Sequence, residues 1–300
     1  MSTPPTTTKA WTHSARGPLR SVLSLNPSHP LPPFPPPDQS QEWLLLRVAY
    51  AALNPGDIIG ITLMPALIRS GPARTAAVPG FDLTGVVEDV WTPSSSQDQH
   101  APTQSRFQKG DRVIAFPPFD HKRTHGVGAL QGLVPIPAKY AVRLPEGKSL
   151  RDGAGLMLAG CVALQQVDET GLRQGQRVLV NGASGGIGTA AVQIARETVG
   201  REGFVVAVCS GRNVEMVRGL GADEVLDYTE YKDLAEELGR RYGGEKFDVV
   251  LDTYGSQALF NGCAGFLKEE GVYDAASIGY EGYGFWALLM SGLTLLWNGV

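Results

Sequence analysis

The chain has 300 residues, 43% of them apolar, with a formal net charge of −4 and a pI near 5.8. That size and apolar content suit a globular enzyme of about two domains, each with a sizeable core. The acidic balance, without a stripe of Lys and Arg, argues against nucleic acid or an anionic membrane as a partner. The first residues, MSTPPTTTKAWTHSARGPLR, are polar and broken by proline and lack the apolar centre of a secretory signal. Residues 26–39, NPSHPLPPFPPPDQ, are too proline-rich for a helix or a central strand and read as an extended surface connection, a ligand for a proline-binding module being the sharper alternative.

Strand-like segments follow at 42–52, 85–91, 111–116 and 140–143, separated by turns such as Asn54-Pro55-Gly56-Asp57 and Lys109-Gly110-Asp111. Their spacing predicts an irregular, barrel-like β domain. Residues 92–108 are poor in apolar side chains and read as a flexible surface insertion. From Leu150 the texture changes to alternating helix and strand, with buried strands expected at 177–180, 204–209, 224–226, 247–251 and 271–278. Such repetition predicts a doubly wound parallel sheet, with ligand beyond the carboxyl ends of its strands in a crevice facing the β domain. Cys161, Cys209 and Cys263 lie far apart without CxxC or His-paired spacing, which suggests a reducing compartment and a cytoplasmic location.

Residues 177–188, RVLVNGASGGIG, are the most informative stretch: an apolar β-branched run, then Ala183, Ser184, Gly185, Gly186, Ile187 and Gly188, then a helical pattern over 189–196. Glycines let the backbone bend and approach a pyrophosphate, and the N–H groups and positive end of the helix attract its charge. A dinucleotide is expected here.

The order of domains and turns resembles the medium-chain dehydrogenase/reductase superfamily, in its zinc-independent quinone oxidoreductase and enoyl reductase branch. The resemblance covers about residues 44–278. It rests on Asn54-Pro55-Gly56-Asp57, Pro79-Gly80-Phe81-Asp82 with Gly85-Val86-Val87, Gly110-Asp111-Arg112-Val113, Leu158-Ala159-Gly160, the glycine turn above, Leu220-Gly221-Ala222-Asp223 and Phe247-Asp248-Val249-Val250-Leu251-Asp252. It implies an α/β architecture in which a GroES-like β domain precedes a Rossmann domain, with hydride chemistry in the cleft between them. The division expected is a Pro-rich segment at 1–41 holding the start of the β domain, the GroES-like domain at 42–150, the Rossmann NADPH-binding domain at 151–280, and an apolar segment at 281–300.

Zinc members carry Gly-His-Glu where this chain has Gly80-Phe81-Asp82, and phenylalanine cannot bind a metal; no closely spaced thiolates mark a structural site either. His121 and His125 have the spacing of one helix face, but FDHKRTHGVGA reads as a loop, so no metal is expected. Asp57 and Asp82 are read as organisers of the backbone rather than acid/base groups. About twenty residues beyond the glycine turn, where an NAD site places a carboxylate, the chain has Cys209-Ser210-Gly211-Arg212-Asn213. Ser210 and Arg212 can bind a 2′-phosphate, so NADPH is the cofactor expected. By the resemblance, Tyr228 packs near that phosphate, Thr253 and Gly255 line the nicotinamide pocket through their backbone while Asp252 holds their loop, and Asn54 faces the nicotinamide or substrate; a plain Asn-Pro turn is the equal alternative for Asn54. Two family features are missing: a tyrosine shortly after the Asn-Pro turn, and a threonine at the position of Val162.

Family members continue past the point where this chain stops, adding a last Rossmann strand used in dimer pairing, so a homodimer is expected to lack that edge. The uncharged end, FWALLMSGLTLLWNGV, is shorter than the roughly 20 residues needed to span a bilayer and reads as a buried or substrate-lining segment. The function expected is hydride transfer from NADPH to an activated C=C bond of a small or carrier-bound substrate, or to a quinone. The alternatives are a cofactor-binding, shortened member with little catalysis, and an alcohol dehydrogenase.

Overall fold

Runs of buried residues, such as Trp43 to Leu46 and Asp82 to Gly85, build the amino-terminal half around antiparallel strands. The computed structural model describes residues 5–34, 41–62, 76–93 and 105–276, and the chain divides into two units, Met1–Leu158 and Ala159–Val300. In the first, β1 (Thr7–Thr12), short α1 (Leu19–Val22) and β2 (Ser24–Pro30) form a two-stranded antiparallel ribbon. There follow β3 (Trp43–Ala52), α2 (Pro55–Thr62), β4 (Asp82–Trp91), β5 (Arg112–Ala115), α3 (Phe119–His125), β6 (Leu133–Pro137), β7 (Ala141–Arg143) and α4 (Leu150–Gly153). The strands join as one antiparallel sheet in the order β6-β3-β4-β5-β7, with Leu44, Leu46, Leu83, Val87, Val113, Val134 and Ile136 buried together.

Three strands escape the sequence pattern, β1, β2 and β6, and in the last two proline conceals them. β6 reads LVPIP and β2 reads SLNPSHP. Proline cannot donate to a ladder and is tolerated where one side of the strand is free, which is where both lie, at a sheet edge and in a two-stranded ribbon. The segment read as a loop around His121 is instead helix α3, entered after Pro118 and closed by Gly126 in the left-handed region at φ 70°.

The second unit runs α5 (Cys161–Glu169), β8 (Arg177–Asn181), α6 (Gly186–Val199), β9 (Phe204–Cys209), α7 (Val214–Gly219), β10 (Glu224–Asp227), α8 (Leu234–Tyr242), β11 (Phe247–Asp252), α9 (Gln257–Gly262) and β12 (Leu267–Ala275). Its five parallel strands lie in the order β10-β9-β8-β11-β12, a doubly wound sheet whose order reverses between β8 and β11. Alternate strand residues enter separate cores: Val178, Val180, Val205 and Ala207 pack with Ala191 and Ala195 of α6, while Leu179, Val206, Val208 and Val250 pack with Leu238 and Tyr242 of α8. The last strand begins earlier than expected, at Leu267, since Lys268, Glu269 and Glu270 interrupt its apolar pattern. Residues 277–300, which include the uncharged end, and 94–104 of the surface insertion lie outside the described residues.

Candidate functional site

The glycine turn joins β8 to α6. Gly182, at φ 72°, accepts the Gly185 N–H through its carbonyl at 3.0 Å. Gly188 lies so close beneath the turn that a Cβ there would collide with the Gly182 carbonyl and come within 2.7 Å of Ala183 Cα. Gly185 caps α6 without a side-chain bond, so the first-turn N–H groups from Gly186 onward lack intrahelical acceptors and face the turn. Ala183 is fully buried, its N–H bound to Val208 O at 2.9 Å, which ties the turn to β9. With the Ala183 and Gly185 N–H groups spent on shaping the turn, the first-turn N–H groups from Gly186 onward form a cradle of backbone donors at a helix start, which fits the pyrophosphate of a dinucleotide.

At the end of β9, Ser210 Oγ accepts from Asn213 Nδ2 at 3.1 Å, and the Arg212 side chain is exposed. The neighbouring strand brings a carboxylate that sequence spacing did not reveal, because β10 pairs with β9 so that Asp227 stands opposite Cys209. Asp227 Oδ1 accepts the Thr229 N–H at 3.0 Å and the Thr229 hydroxyl at 2.7 Å. Backbone and side-chain bonds from Thr229, with the Gly211 N–H, hold its carboxyl below the usual range. Oδ1 is thus taken up by its own loop, while the Gly211 N–H ties the carboxylate to the loop after β9. Tyr228, the next residue, is 51% exposed.

Beyond β11, buried Asp252 accepts from the Tyr254, Gly255 and Ser256 N–H groups at 3.1, 2.9 and 2.6 Å. Thr253 donates its N–H and its hydroxyl to Asn181 O, at 3.1 and 2.8 Å. With the Thr253 N–H committed to β8 and the Gly255 N–H to Asp252, their carbonyl oxygens are the backbone groups left to meet a ligand.

In the first unit, Asn54 opens α2 and is held on both sides. Its N–H donates to Asp57 Oδ2 at 3.0 Å, and its Nδ2 donates to Asp82 Oδ2 at 2.8 Å. Asp57 also accepts the Gly80 N–H at 2.8 Å, and Asp82 accepts the Leu158 N–H at 2.7 Å. Burial raises the Asp82 pKa against the hydrogen bonds from Asn54 and Leu158. Both aspartates therefore organise backbone, and Asp82 orients the Asn54 amide. Phe81 stacks on Phe116 at 5.6 Å and offers no metal donor. The His121 ring stacks on Trp43 at 5.1 Å and meets His125 edge-on at 5.5 Å. Among the described residues no group of three His, Cys, Asp or Glu side chains is placed to hold a metal. Nor is any helix among them long and apolar enough to cross a membrane.

The family model of an alcohol dehydrogenase GroES-like domain matches residues 40–146, and that of a zinc-binding dehydrogenase matches residues 186–284. The chain is 36% identical to a medium chain reductase, pydE, of an Acremonium species, over 85% of this chain and 70% of that protein. The chain belongs to the medium-chain dehydrogenase/reductase family. It is also 28% identical to the trans-enoyl reductase poxH of Penicillium oxalicum, covering 98% of this chain and 79% of the relative. The quinone oxidoreductase of Coxiella burnetii shares the fold with a TM-score of 0.68 at 23% identity, over 89% of this chain and 74% of the other. As a medium-chain dehydrogenase/reductase with a Rossmann sheet, the protein is an oxidoreductase that takes a nicotinamide cofactor. Its GroES-like and Rossmann units follow in the order the sequence predicts.

Proposed function

We propose that the protein is an NADPH-dependent, zinc-independent reductase of activated C=C bonds, in enones, enoyl groups or carrier-bound polyketide chains, and of quinones. The observation that carries the cofactor choice is the end of β9, where Ser210 and exposed Arg212 stand in place of a carboxylate, while Asp227 is engaged by Thr229. A guanidinium and a hydroxyl suit a 2′-phosphate. The substrate class follows the trans-enoyl reductase and quinone oxidoreductase relatives and Phe81, which removes the metal donor a zinc alcohol dehydrogenase requires.

When bound, the cofactor supplies a hydride. The chain supplies position: Ala183 to Gly188 hold the pyrophosphate, Ser210, Arg212 and Tyr228 surround the adenosine phosphate, and the Thr253 and Gly255 carbonyls border the nicotinamide. Asn54, its amide oriented by Asp82, directs its carbonyl oxygen and remaining N–H toward substrate or water. The test is fluorescence titration of the purified chain and of Arg212→Ala with NADPH and NADH, beside NADPH oxidation with cyclohexenone and menadione. The reading expects a preference for NADPH that falls by about tenfold or more in the variant, with turnover. Tight NADPH binding without turnover of any enone or quinone would instead identify a cofactor-binding member with little catalysis.

A further inference from the structure

Lys122 has no part in the reading above, and its setting is unusual for a lysine. Only 14% of its side chain is exposed. Nζ donates to Gly80 O at 2.9 Å and to Asp57 Oδ1 at 3.3 Å, and stands 3.5 Å from the centroid of the Phe81 ring. A carbonyl oxygen, a carboxylate and the face of an aromatic ring all favour the ammonium form. An ammonium has three N–H bonds. Among the described residues two find hydrogen-bond acceptors, and the third is left with the weaker face of the Phe81 ring, which a substrate oxygen can replace. Asp57 also holds the Asn54 N–H, and Asn54 bonds Asp82, so Lys122 belongs to the same hydrogen-bonded cluster as the amide assigned to face substrate.

Resting on the reductase reading, we propose that Lys122 Nζ donates the proton that neutralises the substrate oxygen during reduction. As the β-carbon of an enone gains hydride, the C=C electron pair moves between the α-carbon and the carbonyl carbon, and the C=O pair moves onto oxygen. One Nζ–H bond then breaks with its pair left on nitrogen, and the proton forms an O–H bond. The enol released tautomerises in water to the saturated ketone, and the neutral amine recovers a proton from solvent. With a quinone the same proton completes the hydroquinone. This supplies the acid that the missing tyrosine after the Asn-Pro turn leaves unassigned.

The groups that face Nζ are Asp57 of α2, the Gly80 carbonyl and Phe81 ring ahead of β4, and Asp82 of β4; Asp120, His121 and His125 share its helix. Burial lowers the Lys122 pKa to about 8, opposed by Asp57 and Asp82. That value suits proton donation near neutral pH.

The test compares wild type, Lys122→Met and Lys122→Arg for NADPH binding, for kcat against pH with cyclohexenone and menadione, and for restoration by added methylammonium. Acetylation of Nζ by acetic anhydride, followed against pH by mass spectrometry, reads the same group without turnover. The proposal expects wild-type kcat to fall above pH about 8 and Lys122 to acetylate at lower pH in the folded chain than in the urea-unfolded chain. It expects both variants to bind NADPH normally yet lose about a hundredfold or more in kcat together with the alkaline limb. Methylammonium should restore part of the Lys122→Met rate. A Lys122→Met enzyme with wild-type kcat and an unchanged alkaline limb overturns the proton role and leaves the reductase reading standing. A wild type that binds NADPH but reduces neither compound overturns the reductase reading and, with it, the proton role.

Discussion

Asn181 Nδ2 donates to Asp252 Oδ1 at 2.8 Å, bridging the carboxyl ends of β8 and β11, the neighbouring strands between which the parallel sheet reverses its order. Asp252 also receives three backbone N–H groups of the following loop and the Tyr273 hydroxyl at 2.6 Å. A single buried carboxylate therefore fastens the loop assigned to the nicotinamide, and Tyr273 pins it from the next strand. Removing that carboxylate strands several buried donors, each costing about 1–3 kcal/mol. Asp252→Ala should lose about 3 kcal/mol or more of unfolding free energy in urea and weaken NADPH binding. Asn181→Ala, which removes one donor of the set, should lose roughly 1 kcal/mol. An Asp252→Ala protein as stable as wild type would show that the loop is held by other contacts.

Two glycines of the β8–α6 turn should respond differently to the same methyl group. A Cβ on Gly188 meets backbone that cannot move without parting helix from strand, whereas one on Gly186 meets only Ala159 Cβ at 3.7 Å, an ordinary contact. Gly188→Ala is expected to unfold the second unit or lower its melting temperature sharply. Gly186→Ala should fold normally, and its loss should appear in NADPH affinity alone, where the backbone approaches the pyrophosphate. Equal melting temperatures for the two variants would contradict the close approach at Gly188.

Asp227 adds a negative charge next to Gly211 that works against a phosphate at Arg212. Neutralising it in Asp227→Asn should raise NADPH affinity by a few-fold at low salt while leaving NADH nearly unchanged, and the gain should shrink as salt screens the site. Titrating the variant with both cofactors at two ionic strengths checks this. A gain shared by NADH would place the charge near the common part of the dinucleotide instead.

The parallel sheet was legible because buried strands such as Phe204–Cys209 are continuous apolar runs, and because the glycine turn is local in sequence. Two proline-bearing strands were not: LVPIP and SLNPSHP carry prolines that a central strand would exclude, so their strand character depends on an edge position that only the assembled sheet reveals. The site divides the same way. Ser210 and Arg212 lie a fixed distance after the turn, whereas Asp227 reaches them through strand pairing. Lys122 reaches Asp57 across 65 residues, and its own surroundings, FDHKRTH, look like any polar loop. No signal in the sequence marks that lysine; its burial arises from Asp57, Gly80 and Phe81 converging on it.

That burial should be measurable in stability. A lysine pKa lowered from 10.5 to about 8 means that below about 8 both folded and unfolded chains carry the proton, and stability does not depend on this group's titration. Between about 8 and 10.5 the unfolded chain binds a proton that the folded chain has released, so the free energy of unfolding rises with pH. Lys122→Met removes the titration, and its lost hydrogen bonds shift stability by a nearly constant amount. The wild-type minus Lys122→Met difference should therefore climb across that window, by up to about 3 kcal/mol. Urea unfolding at a series of pH values reads the slope. A difference that falls with pH would mean that the attraction of Asp57 outweighs desolvation, and that Lys122 is a structural cation holding its proton throughout.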